Sequence, residues 1–202
     1  MKTLLAAMAL ILATGTAAMA FDADTQSIID AHKRGKLVGI EDVAHLMGES
    51  ARWCYDRQGD TCTWSDIYLD VSGTGAVFEI GNAWDEDTDI AFTDEGTFRD
   101  NKICQSGLDW VPSVRATRRA DGTDIGGRAL HEIKSEIYSN QAQSLSSKDD
   151  CFDYLYVSAD ADSEQITLLQ RQYMDGVTDK ANDVEVTLSF NAEDAARLAQ
   201  RL

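Results

Sequence analysis

The sequence predicts an α+β fold, a mostly antiparallel β-barrel-like meander with short helices before it, one helix inserted and one at the end. Three observations predict it. Apolar residues recur at helical spacing up to about Gly48, then alternate from about Ala51. Short alternating runs follow one another, broken by glycine and aspartate clusters. Helical spacing returns near residues 125–140 and again after Phe190.

Residues 21–48 form a helical lead. Thr25 is placed to cap a segment carrying Ile28 and Ile29 that ends at Gly35, and Ile40 to Met47 sets Ile40, Val43, Leu46 and Met47 on one side before Gly48. Arg52–Tyr55 and Cys62–Leu69 read as a first hairpin. Ala76–Ile80, Asp89–Phe92, Gly96–Arg99 and Ile103–Cys104 continue as short strands. Their breaks fall at Gly73, Gly75, Asp85-Glu86-Asp87 and Asp94-Glu95-Gly96. Val114–Thr117 adds a strand before the Asp121-Gly122 turn. Thr123 or Asp124 then caps the inserted helix, whose apolar stripe is Leu130, Ile133 and Ile137. The polar run Ser139–Asp150 reads as a mobile loop. Cys151–Val157, Ile166–Tyr173 and Val184–Phe190 are the closing strands, and residues 191–202 form a terminal helix capped by Asn191 and packed through Ala195, Leu198 and Leu202. No linker or repeat divides residues 21–202, which are read as one domain with residues 49–190 as its β-rich body.

Residues 1–20 carry an address. Met1-Lys2, the apolar run Leu4–Ala13 and the small residues Ala18-Met19-Ala20 lay out a secretory signal peptide cleaved after Ala20, leaving Phe21 first in a chain of about 182 residues. The expected location is periplasmic or secreted. The apolar run is short for a bilayer span, and no cysteine follows the cut to carry a lipid. The formal charge of −17 becomes about −18 without Lys2. That balance opposes nucleic acid and anionic membrane surfaces. Four cysteines, Cys54, Cys62, Cys104 and Cys151, predict two disulfides in an oxidising compartment, and three pairings are possible. The C-x-x-C and Cys/His spacings of a zinc site are missing.

Catalytic signatures are sparse. The chain has no G-x-S-x-G, and strands flank Ser72-Gly73-Thr74-Gly75 on both sides, so that segment reads as a turn and not a phosphate cradle. His131-Glu132 begins like a zinc-protease motif, but Ser135 stands where the second histidine is needed. His32 and His45 read as surface or boundary residues of the lead helices. Asp85, Asp87 and Asp89 alternate like the start of a calcium loop, echoed by Asp160 and Asp162. Ile90 and Gly96 occupy the positions that need glycine and glutamate, which leaves only a looser calcium site or solvated turns. Trp53, Trp64, Phe78, Trp84, Phe92, Tyr154 and Tyr156, with Trp110, supply aromatic area that fills a core first and can line an apolar pocket.

Three stretches resemble a family of small exported bacterial proteins of uncharacterised function. Leu37–Tyr55 resembles its lead helix and aromatic first strand. Asp94–Phe98 through Lys102-Ile103-Cys104 resembles its turn-strand-cysteine element, and Cys151-Phe152-Asp153-Tyr154 with Leu169–Tyr173 resembles its closing hairpin. Phe98 stands where the family usually has tryptophan, and Leu108–Ser147 is an insertion relative to it. The resemblance implies a β-rich fold and a Cys104–Cys151 bridge, and brings no catalytic residues.

These readings converge on a lipocalin- or calycin-like exported protein without catalytic activity. Its expected partner is a small, partly apolar ligand or another exported protein, and its oligomeric state is left open. Two alternatives belong to other classes. One is a hydrolase with a nonstandard site built from Asp85, Asp87 or Glu79 with His131. The other is a structural calcium-binding protein.

Overall fold

In the computed structural model, residues 20–141 and 149–202 are described. All of the proposed signal peptide but Ala20, and most of the Ser139–Asp150 run read as a loop, lie outside them. Helix α1 (Ala23–Ala31) begins one residue after Asp22, whose carboxylate accepts the backbone N–H groups of Asp24 and Thr25 at 2.9 and 3.0 Å. Thr25 is therefore not the cap; its hydroxyl donates back to Asp22, completing a reciprocal arrangement within the first turn. The helix also ends at Ala31, before Gly35, whose positive φ of 79° turns the chain. Helix α2 (Ile40–Glu49) carries Val43, Leu46 and Met47 on its buried face.

Among the described residues, thirteen strands follow the lead helices. They are β1 (Arg52–Tyr55), β2 (Thr61–Cys62), β3 (Trp64–Val71), β4 (Gly75–Ala83), β5 (Thr88–Arg99), β6 (Lys102–Ser106) and β7 (Arg115–Arg118). After these come β8 (Asp124–Ile125), helix α3 (Gly127–Gln141), β9 (Asp149–Asp160) and β10 (Gln165–Met174). The chain closes with β11 (Val177–Thr178), β12 (Val184–Ser189), helix α4 (Ala192–Arg197) and β13 (Ala199–Gln200). The main sheet runs β4-β3-β1-β12-β10-β9-β6-β5, and β5 pairs with β4 as well, so the hydrogen-bonded path returns to its start. Every pairing in this ring is antiparallel. The mostly antiparallel α+β class is thus the observed one.

Several expected boundaries move. Strand β5 runs unbroken through Asp94-Glu95-Gly96, because Gly96 sits against the Ile103 side chain: a Cβ there would lie 2.5 Å from Ile103 Cγ1. Asp124 does not cap α3 but pairs with Thr117 in β8. Cys62 leaves the first hairpin for β2, which pairs in parallel with β13. Helix α4 stops at Arg197, not Leu202, because Ala199 and Gln200 are taken up by that pairing.

The upper half of β9 has no partner in β6, and the connector after α1 covers it. Gly35 N–H donates to Tyr156 O, Tyr156 N–H to Lys36 O, and Val38 N–H to Tyr154 O. Asn101, in the β5–β6 turn, accepts from Ile40 N–H and fixes the start of α2. An exposed row of backbone groups is thereby paired.

The two disulfides are Cys54–Cys62 and Cys104–Cys151. Cys104 and Cys151 are directly opposed residues of β6 and β9. Two apolar clusters carry most of the packing. One joins the lead helices to the ring through Trp53, Leu46, Met47 and Tyr154; the other gathers Ile90, Val114 and Ile137 beneath β7 and α3. Among the described residues, no helix is long and apolar enough to cross a membrane.

Candidate functional site

Side chains of a strand alternate between its two faces, and the ring applies that rule around its whole circumference. Tyr55 on β1, Trp64, Asp66 and Tyr68 on β3, and Phe78 and Ile80 on β4 share the inner face. Phe92 and Asp94 on β5, Ile103 on β6, Tyr154 on β9 and Gln170 on β10 join them. Cys54, Glu79 and Arg115 stand on the outer face. Where the two apolar clusters meet, these inner residues and Trp110 and Ile137 enclose a cavity of about 440 Å³. That volume matches a small-molecule pocket.

The walls are aromatic and the floor is polar. Tyr55 stacks on Trp64 with centroids 4.9 Å apart, and Phe92 stacks on Trp110 at 4.1 Å. Trp53 lies behind the cavity, fully buried, and holds Tyr68 and Tyr154 by edge contacts at 5.2 and 5.3 Å. On the floor, Gln170 Nε2 donates to Tyr154 Oη at 3.1 Å and to Tyr55 Oη at 3.5 Å. Tyr55 Oη in turn donates to Asp66 Oδ2 at 2.7 Å. Asp66 is only 6% exposed, and its Oδ1 has no hydrogen-bond partner among the described residues.

The electrostatics follow from that burial. Loss of water pushes the Asp66 carboxyl up to about 7; the Tyr55 hydrogen bond offsets part of the rise, and the Asp94 charge adds to it. Burial likewise lifts Asp94 to about 6, opposed by its bond from Glu95 N–H and reinforced by the charges of Asp109 and Glu95. Tyr55 and Tyr68 are both pushed well above the usual phenol value, chiefly by burial, and stay neutral. Among the described residues lining the cavity there is no Lys, Arg or His. Among the described residues the site is therefore an apolar chamber with acidic groups and no counter-cation.

Of the aromatic residues singled out from the sequence, Trp64, Phe78, Trp84, Phe92 and Tyr154 line the cavity. Trp53 and Tyr156 do not. Trp53 donates its indole N–H to Ser50 Oγ at 2.6 Å within the core, and Tyr156 is buried beside His32 under the lead helix. Asp66, Asp94, Tyr55, Tyr68 and Gln170 were not anticipated. The signal was present, since Trp64-x-Asp66-x-Tyr68 and Phe92-x-Asp94 set each acid two residues from an aromatic on the same strand face.

The other expected sites are not assembled. Asp85 Oδ1 accepts Asp87 N–H within its own turn, Asp87 is exposed, and Asp89 Oδ1 accepts Arg119 Nε at 2.8 Å. Asp160 accepts the Asp162 and Ser163 N–H groups in the same manner. Among the described residues, no three His, Cys, Asp or Glu side chains are grouped to hold a metal ion. Glu79 is paired with Arg115 beside a second, outer cavity of about 370 Å³, whereas His131 is exposed on α3 and lines neither cavity. His45 and His32 are tied down as well, His45 to Thr25 and His32 to the Ile28 carbonyl. No protein-family model, no curated protein and no solved structure matches this chain.

Proposed function

We propose that the protein is an exported binding protein that takes a small, partly apolar ligand into the interior of a lipocalin- or calycin-like barrel. The observation that carries this reading is the cavity of about 440 Å³, walled by aromatics and floored by one hydrogen-bonded network. Interiors are otherwise packed to crystal-like density, so a space of this size beside the paired rings supports room for a ligand. The two disulfides and the signal-like residues 1–20 support an oxidising, extracytoplasmic place of work.

The test is titration of the full chain, purified without reductant, with the neutral fluorophore N-phenyl-1-naphthylamine. Saturable binding at one site, lost in Ile80→Trp because the new indole fills the cavity, is the expected result. Binding that Ile80→Trp leaves unchanged, in a variant melting near the parent, would place the probe elsewhere and refute the reading. Intact mass of the exported protein should correspond to Phe21–Leu202 less four hydrogens.

A further inference from the structure

We infer that the ligand is an organic cation: an ammonium group received by Asp66 and Asp94, on an aromatic or aliphatic body that lies against the cavity's indole rings. This rests on the cavity being the binding site and adds the charge of its occupant. The first observation is the sign of the lining. Two carboxylates face one apolar chamber, and among the described lining residues no basic side chain balances them. An anionic ligand would set a further negative charge beside these acids with no basic group among the described residues to offset it, which is costly.

The second observation is the unfilled valence of Asp66. Oδ2 accepts from Tyr55, and Tyr55 is itself met by Gln170, so the protein's own donors are spent on one side of the carboxylate. Among the described residues Oδ1 is buried without a donor. A buried carboxylate oxygen lacking a donor is a costly arrangement to retain, and an ammonium N–H supplies both the bond and the charge. The third observation is the wall. Trp64, Trp84 and Trp110 all line the chamber, and indole faces attract cations more strongly than other rings. A metal ion fits less well, since no third acidic or histidine ligand joins the pair among the described residues.

The groups facing Asp66 are Tyr55 on β1, Tyr68 on β3, Asp94 on β5 and Tyr154 on β9; those acting on Asp94 are Asp109 and Glu95. The tyrosines stay neutral, so the acids alone set the pH response. With both carboxyls shifted toward neutrality, ammonium affinity falls as pH drops below about 7 and the acids take up protons.

The experiment compares three probes of similar body: 2-phenylethylamine, 2-phenylethanol and 3-phenylpropanoate, titrated calorimetrically into the full chain at pH 8 and pH 5. The amine should bind about tenfold or more tighter than the alcohol at pH 8, the size of one charge-assisted hydrogen bond, and the carboxylate weakest. Amine affinity should drop at least about tenfold at pH 5 while the alcohol's holds. Asp66→Asn should cut the amine's advantage over the alcohol at pH 8 by about tenfold, and an advantage unchanged in that variant overturns the assignment. Equal affinities for amine and alcohol, or a preference for the carboxylate, overturn the cation assignment. Failure of the amine while N-phenyl-1-naphthylamine still binds in the cavity also overturns it and leaves the binding-protein reading standing. Failure of all the probes removes both.

Discussion

Replacing Asp66 with asparagine should flatten the dependence of stability on pH. A carboxyl near 3.8 in the unfolded chain rises to about 7 in the fold, so the native state holds its proton more tightly. The sign is the reverse of a salt-bridged acid: the contribution is complete below pH 3.8 and is lost as pH climbs through 7. At 1.36 kcal/mol per pKa unit the full penalty is about 4 kcal/mol, most of which, about 3 kcal/mol, accrues between pH 5 and pH 8. Asparagine keeps the acceptor for Tyr55 but buries an amide N–H₂ where Oδ1 has no partner, costing about 1–3 kcal/mol. That cost does not vary with pH, so the difference between the two pH values isolates the ionisation. Urea unfolding followed by tryptophan fluorescence at pH 5 and pH 8 measures it. Asp66→Asn should gain about 3 kcal/mol on the parent over that interval. Parallel pH profiles for the two proteins would refute the assignment of Asp66 as a buried acid titrating near neutrality.

Further outcomes follow from the same structure. Removing the Cys104–Cys151 bridge, which spans 47 residues, should cost about 4 kcal/mol against about 2.5 kcal/mol for Cys54–Cys62, which spans 8, as read from denaturant midpoints of the paired alanine variants. Gly75→Ala should lower the melting temperature by about 5 °C, because its Cβ would meet the Gly96 carbonyl oxygen at 2.2 Å; Gly73→Ala, which meets nothing within 4 Å, is the control and should be near neutral. Arg171→Met should cost about 3 kcal/mol in urea unfolding, since Arg171 makes two hydrogen bonds to buried Asp153 at 2.8 and 2.7 Å, and Tyr173 alone would remain to meet that charge.

How far the sequence disclosed these features depended on the range of the interaction. Alternation from Arg52 onward announced the strands, because a residue's face in a strand is fixed by its neighbours two positions away. The stripe of Val43, Leu46 and Met47 announced α2 by the same local logic. Asp22 was passed over as the cap in favour of Thr25, although both belong to one reciprocal pair and only geometry ranks them. Ala199–Gln200 was read as helix because its strand partner, Thr61–Cys62, lies far away in the chain. Asp66 and Asp94 were taken as hairpin and turn residues, since composition treats aspartate as a surface residue and only parity along the strand turns it inward. Trp53 and Trp64 looked equivalent as aromatics. Trp53 is fully buried in the cluster that includes the lead helices, whereas Trp64 is partly buried at its edge and lines the cavity.

The way the ring closes sets the order in which this chain can fold. Neighbours such as β3 and β4, or β9 and β10, meet through short turns and can pair early. The pairing of β1 with β12 joins Arg52 to Ser189 and must wait for nearly everything between them. Until that last seam forms, β1 and β12 each present an unpaired edge, the kind that templates aggregation. A chain interrupted before Val184 would keep most of its hairpins and still lack the strand that seals them. The closing segment is thus where a folding helper would have most to protect.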